Sequence, residues 1–250
     1  MKVLITGASS GIGRDFARQL ITKYDELILV SKDEGRLKKI GDELNKVPNK
    51  RIYTIATDLS DYKNCKKIHS EIKDVDLLIN NAGFGDCGYF DSTSLDKDIN
   101  MINTNITAVH TLTKLYLADM IKRKKGHIIN VGSIAGFMPG PLMATYYSTK
   151  SYVVKLSESI REELRRTKSP VKISVLCPGP VKTNFEKVAN VDFQISKKSS
   201  SDVVSYTLKH MNKFYICPSF SARFIRFISK ITPSSLMAKM VFKSQKRRLK

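Results

Sequence analysis

Tyr146 and Lys150 stand four residues apart, and Ser133 lies 13 residues before the tyrosine. On a helix, positions i and i+4 share a face, so the phenol and the ammonium would sit one turn apart. A free phenol has a pKa of about 10, too high for efficient proton transfer near neutrality. A neighbouring ammonium favours the phenolate and is expected to lower that pKa. An acid or base tuned in this way contributes about 10²–10⁴-fold to a rate. On its own, Tyr-x-x-x-Lys is an ordinary surface pair. Ser133 raises its meaning: it follows a predicted strand, from whose end a hydroxyl can reach a substrate oxygen. Tyr147 is a competing phenol, but the spacing to Lys150 selects Tyr146.

A second cluster stands at the start of the chain, MKVLITGASSGIGRD. Val3, Leu4 and Ile5 read as a buried strand. Gly7, Gly11 and Gly13 follow, and Phe16, Ala17 and Leu20 then recur at helical spacing. Glycines let backbone approach a ligand, and a helix N-terminus offers free N–H groups to an anion. The expected ligand is a phosphate-bearing cofactor. The spacing Gly-x-x-x-Gly-x-Gly differs from the commonest dinucleotide fingerprint.

The stretch TGASSGIG resembles the cofactor motif of the short-chain dehydrogenase/reductases. Asp58-Leu59, Asn80-Asn81-Ala82-Gly83, Ser133 with Tyr146-x-x-x-Lys150, and Pro178-Gly179 follow in that family's order, over about residues 1–185. The resemblance implies hydride transfer between a nicotinamide and a carbonyl or alcohol, with Tyr146 exchanging a proton with the oxygen. It implies that Ser133 positions the carbonyl or stabilises the intermediate. Lys150 would tune Tyr146 and touch the nicotinamide ribose. Asn105, an unfavourable mid-helix residue, would hold water in a proton relay through Lys150. The cofactor would lie on Gly7, Ser9, Ser10, Gly11, Ile12 and Gly13. Asp58 and Leu59 would face the adenine. Asn81, Ala82 and Gly83 would form a small-residue turn beside the cofactor. Pro178, Gly179, Val181 and Thr183 would close over the nicotinamide. Ala108 departs from the family's frequent glycine.

The end of the second strand decides the cofactor. An acid there bonds a ribose hydroxyl and repels a 2′-phosphate. By the family's spacing that position is Ser31, followed by Lys32, which favours NADP. Asp33 comes next, and the glycine loop has Ser10 where some members carry a base, so NAD remains open. Phe84, Met138, Pro139, Met143 and Phe185 are candidate lining for an apolar pocket. Such a pocket suits a hydrophobic ketone, a 3-oxoacyl chain or a sterol-like alcohol. The four histidines share no metal spacing, and no metal site is expected.

Alternating strands and helices must position these groups. Strands are expected at 2–6, 27–30, 51–56, 77–79, 127–131, 172–176 and 214–217. Helices are expected at 12–23, 34–44, 63–72, 99–123, 145–166 and 202–212. Strands separated by helices argue for a parallel sheet covered on both faces. Right-handed crossovers make it a doubly wound α/β fold of seven strands, order 3-2-1-4-5-6-7. One domain is expected over 1–218, with a polar candidate lid at 186–201 and a basic extension at 219–250.

The formal net charge is +20, and residues 223–250 hold nine Lys or Arg and no acid. Phe224, Phe227, Ile228 and Ile231 share one helical face there, flanked by Arg223, Arg226 and Lys230. An apolar-basic helix of this kind can lie on an anionic membrane; the other reading is a lid or a subunit contact. No motif supports nucleic-acid binding. No spanning segment or signal peptide is expected, and the scattered cysteines suit a reducing cytoplasm. Members of the family often pair through two long helices, which implies a homodimer or homotetramer. The competing functional reading is a non-catalytic nucleotide-binding or membrane-surface protein on the same fold. The complete set of Asn105, Ser133, Tyr146 and Lys150 argues against it.

Overall fold

The computed structural model describes residues 1–191 and 197–247. The elements run β1 (Lys2–Thr6), α1 (Gly11–Leu20), β2 (Glu26–Ser31), α2 (Glu34–Leu44), β3 (Arg51–Ala56), α3 (Tyr62–Glu71), β4 (Leu77–Asn80) and α4 (Leu95–Ile102). A π-helical stretch, Asn103–Ala108, joins α4 to α5 (Val109–Arg123). Then come β5 (His127–Val131), a 3-10 turn (Ile134–Phe137), α6 (Ala144–Arg166), β6 (Lys172–Leu176), β7 (Val181–Lys182) and α7 (Phe185–Val188). The chain closes with β8 (Lys198–Ser199), α8 (Ser200–Lys209), β9 (Tyr215–Ile216), α9 (Phe220–Ile231) and α10 (Ser234–Lys246).

Seven parallel strands form the main sheet in the order β3-β2-β1-β4-β5-β6-β9. This is the expected order, with β9 as the seventh sheet strand. Alternation along each strand sends neighbouring side chains to opposite faces. Leu4, Ile28, Leu78 and Ile128 enter one buried cluster, while Val3, Ile5, Leu29 and Ile79 enter the other. Each fully buried Leu or Ile adds roughly 1.5–3 kcal/mol of driving force. The strands are thereby fixed in register, and their C-terminal ends form one rim. A buried polar chain reinforces it: the Asn80 amide donates to Thr113 and Asn130, and the Asn130 amide donates to Ser157.

Three differences from the sequence expectations bear on function. The long helix begins at Leu95 and contains the π-helical stretch. The expected irregular segment 186–201 holds most of α7 and all of β8, and β7 pairs with β8; residues 192–196 of it lie outside the described residues. Ala189 and Val191 are buried there, which gives this polar stretch an apolar anchor. The C-terminal extension is two helices packed onto the body. Ala222 of α9 and Met237, Val241 and Gln245 of α10 are buried. Residues 248–250 of the basic tail lie outside the described residues. No helix among the described residues is long and apolar enough to cross a membrane.

Candidate active site

The glycine turn after β1 is held from both sides. Ala8 N–H donates to Val30 C=O at 3.1 Å. The Asn81 side chain donates to Thr6 and Gly7 carbonyls at 2.9 and 3.2 Å, and the Thr6 hydroxyl accepts from the Asn81 and Ala82 N–H groups. A Cβ on Gly13 would lie 2.2 Å from the Gly7 carbonyl oxygen, and Gly7 itself has φ +64°. Only glycine meets both demands. The turn therefore sits tight against β4, with the α1 N-terminus aimed along a cleft of about 510 Å³.

At the cleft's far end Ser9 and Ser31 share a hydrogen bond of 2.8 Å. Lys32 and Asp58 form an ion pair at 3.7 Å. Asp33, the acid closest to this end in sequence, is spent as the α2 cap: it accepts from Arg36 N–H at 2.9 Å and pairs with the Arg36 guanidinium at 3.1 Å. Arg36 also lines the cleft, as do Asp33 and Asp58, so two carboxylate-paired cations, Lys32 and Arg36, stand beside the end of β2. Sequence reasoning missed Arg36, although its place three residues after a capping Asp was the available signal.

The reactive groups gather at the other end. Ser133, Tyr146 and Lys150 all line the cleft, together with Asn81, Ala82, Gly83, Pro178, Gly179, Val181 and Thr183. Ser133 lies just past the end of β5 and caps the following 3-10 turn, accepting from Ala135 N–H at 3.1 Å. Ile134 N–H donates to Pro178 C=O, tying that turn to the end of β6. Tyr146 and Lys150 occupy successive turns of α6, with the ammonium 5.9 Å from the phenol ring centre. Lys150 Nζ donates to Val131 C=O at 2.9 Å.

The electrostatics correct one expectation. Burial pushes the Tyr146 phenol well above its ordinary range, only partly offset by hydrogen bonding with Ser133. Burial also pulls Lys150 down to about 8. Removing the phenolate charge from water dominates in place of the expected lowering by the ammonium. The buried Tyr146 phenol is thus held neutral.

Asn105 is fully buried in the π-helical stretch. Its amide donates to Phe84 C=O at 2.9 Å and to the Thr149 hydroxyl at 3.0 Å, and its carbonyl oxygen accepts from Phe84 N–H at 3.1 Å. It clamps the turn after β4 onto α6. Of the residues expected to line an apolar pocket, Phe84, Met143 and Phe185 do so. Met138 and Pro139 do not: they line a separate cavity of about 690 Å³ beside α9. Tyr147 borders both spaces, and the extended chain after the 3-10 turn carries Met138 and Pro139 to its other side. Val188 and Gln245 also line the cleft, with the polar Lys97, Thr104 and Asn184; none was found from sequence, and for Gln245 nothing local links α10 to β5 or α6.

The residues fit a nicotinamide dinucleotide: a cradle too tight for any Cβ, a free helix N-terminus, cations at one end and a proton donor at the other. The sequence model of the short chain dehydrogenase family matches residues 1–193. An uncharacterised oxidoreductase of Staphylococcus epidermidis is 31% identical over 219 residues, covering 84% of this chain and 92% of its own. A very-long-chain 3-oxoacyl-CoA reductase of Mycosarcoma maydis is 32% identical, over 74% of this chain and 54% of its own. A short-chain dehydrogenase from Sphingobium yanoikuyae, solved with NADPH, has 26% identity and a TM-score of 0.84, over 92% of this chain and 93% of its own. Another from Burkholderia phymatum, solved with NAD, has 25% identity and a TM-score of 0.83, over 92% of each chain. A cradle built this tightly, matched along more than three quarters of the sequence, places this chain in the short-chain dehydrogenase/reductase family of oxidoreductases.

Proposed function

We propose that this protein is an NADP-dependent carbonyl reductase or alcohol dehydrogenase acting on a hydrophobic substrate, either a ketone, a 3-oxoacyl chain or a sterol-like alcohol. The observation that carries the reading is the meeting of Ser133, Tyr146 and Lys150 at the apolar end of one cleft whose other end is the glycine cradle. The nicotinamide, when bound, supplies or takes the hydride. Ser133 orients the substrate oxygen. Tyr146, neutral because buried, donates the proton to that oxygen in reduction. Lys150, anchored on Val131, presents positive charge to the cofactor ribose and to the phenol as it reacts. Asn105 holds the Gly83–Phe84 turn in place and is the proposed contact for a proton relay. Phe84, Met143, Phe185 and Val188 exclude water from the reacting carbon.

NADP is the proposed cofactor, supported by Lys32 and Arg36 at the ribose end and by the absence of an acid at position 31. The apolar end supports a hydrophobic substrate, as does similarity to a 3-oxoacyl-CoA reductase. The test is a panel of ketones, 3-oxoacyl thioesters and alcohols with NADPH and NADH, followed by nicotinamide absorbance. Turnover of a hydrophobic carbonyl with NADPH is the expected result. No turnover in either direction overturns the reading.

We also propose peripheral association with anionic membranes through α9 and α10. Phe220, Phe224, Phe227 and Ile231 on α9 and Leu236 and Met240 on α10 are all at least half exposed. No Asp or Glu follows Asp202, so the charged side chains that α9 and α10 themselves carry are all basic. A reducing compartment suits the four buried cysteines. A dimer or tetramer through α5 and α6 is proposed on family grounds, with light scattering as its check.

A further inference from the structure

Gln245 is 1% exposed, yet it lines the same cleft as Tyr146 and Ser133. Its Nε2 donates to the Tyr147 hydroxyl at 2.7 Å. Its Oε1 is buried and has no partner. Four buried side-chain atoms lack a partner among the described residues, on Asn80, Arg123, Arg226 and Gln245, and of these residues Gln245 alone lines the cleft. A buried carbonyl oxygen without a donor is unfavourable and normally calls for an explanation.

The surroundings narrow that explanation. Cys87, Leu142, Met143, Ala189 and Val191 form a buried apolar cluster, against which Tyr147, Phe185 and Phe242 pack. Helix α10 brings Phe242 and Gln245 to this cluster. The Tyr147 ring, which carries the amide's bonded end, stands edge-on to Tyr146 with centres 6.1 Å apart. Gln245 is therefore separated from the proton donor by one aromatic ring.

We propose that Gln245 is a specificity-determining residue of this site, whose Oε1 accepts a hydrogen bond from a hydroxyl or amide N–H of the substrate, remote from the reacting carbonyl. The inference rests on the substrate end being where the proposed function puts it. The substrate class becomes a hydrophobic carbonyl or alcohol that carries one distal hydrogen-bond donor. A site built to bond a donor discriminates against the analogue without it, because its own polar group is then left unpaired.

Binding tests this without turnover. Calorimetry on the full chain, with and without NADP, compares plain aliphatic alcohols with diols of equal length across a series. Wild type is expected to hold the diol about ten- to hundredfold tighter at one chain length. Gln245→Met keeps the bulk of the wall and should bring that ratio close to one. Gln245→Leu is the second variant, and thermal melting confirms that α10 stays seated in each. A ratio near one at every length in wild type, or an unchanged ratio in both folded variants, overturns the proposal. Kinetics with matched ketones then show the same preference in KM. Failure of every carbonyl to react would count against the catalytic reading alone, because the binding ratio stands without it.

Discussion

Asn105 and Phe84 exchange two hydrogen bonds, the side-chain amide of one with both backbone groups of the other. The asparagine comes from a π-helical stretch and the phenylalanine from the turn after β4. Their bond fixes Gly83, whose added Cβ would meet Asn105 at 2.8 Å and Lys150 Nζ at 3.4 Å. Asn105→Ala should therefore lower stability by about 1–3 kcal/mol and turnover with it, since the half-buried Phe84 backbone groups and the buried Thr149 hydroxyl lose their partner. Denaturant melts beside kinetics check this. Lost turnover at unchanged stability would assign Asn105 to the relay alone.

Tyr146→Phe should leave folding and cofactor affinity near wild type and reduce turnover by at least about 10²-fold. Cofactor titration by fluorescence and steady-state rates measure the two effects. Near-normal turnover would transfer the proton-donor role to Tyr147.

Lys150 is a buried cation whose pKa falls to about 8 by burial. Folded below its unfolded value, it holds fewer protons than the unfolded chain between about 8 and 10.5, so stability rises with pH across that window and is lowest below it. Lys150→Met should raise stability at pH 7 by about 1–3 kcal/mol and abolish efficient turnover. Wild-type reduction should decline as pH passes about 8. Melts at pH 7 and 10, with a pH–rate profile, test both halves; a flat profile would remove the charged lysine from the reaction.

Ser31→Asp should swing preference from NADPH toward NADH, by placing a carboxylate at the end of β2. Arg36→Ala should weaken NADPH more than NADH, because Arg36 stands beside Lys32 in the cleft. Wild-type preference for NADH would overturn the reading of both.

Phe224→Asp with Phe227→Asp should abolish sedimentation with anionic vesicles and leave neutral vesicles unaffected. Each basic residue near an anionic surface adds roughly 1 kcal/mol of attraction, so binding should fall with salt. Point changes are preferable to removing the extension, because α10 also walls the cleft. Equal sedimentation of variant and wild type at low salt would exclude the α9 face.

The strands and the cleft's glycine cradle were legible because local pattern determines them: β-branched runs, glycine spacing and alternation; the strand order followed from the right-handed crossovers of a doubly wound sheet. Ser133, Tyr146 and Lys150 were legible because 13- and four-residue spacings on adjoining elements decide their meeting. What escaped was set by distance in the chain or by desolvation. Gln245 reaches Tyr147 across 98 residues, and no local signal announces that. The Tyr146 phenol rises rather than falls because burial, invisible in spacing, outweighs the hydrogen bond with Ser133. Met138 and Pro139 are adjacent in sequence to the site but separated from it by the Tyr147 ring.

Helix α10 lies wholly beyond residue 193, where the match to the family ends. The groups proposed to exchange hydride and proton lie within that match, as do the wall residues Phe84, Met143, Phe185 and Val188, while Gln245 is carried on a separate length of the chain. Substitution at Gln245 therefore alters the wall without touching the glycine cradle. For the engineer, the proposed contact of Gln245 makes α10 a place to alter selectivity while the sequence of residues 1–193 stays intact.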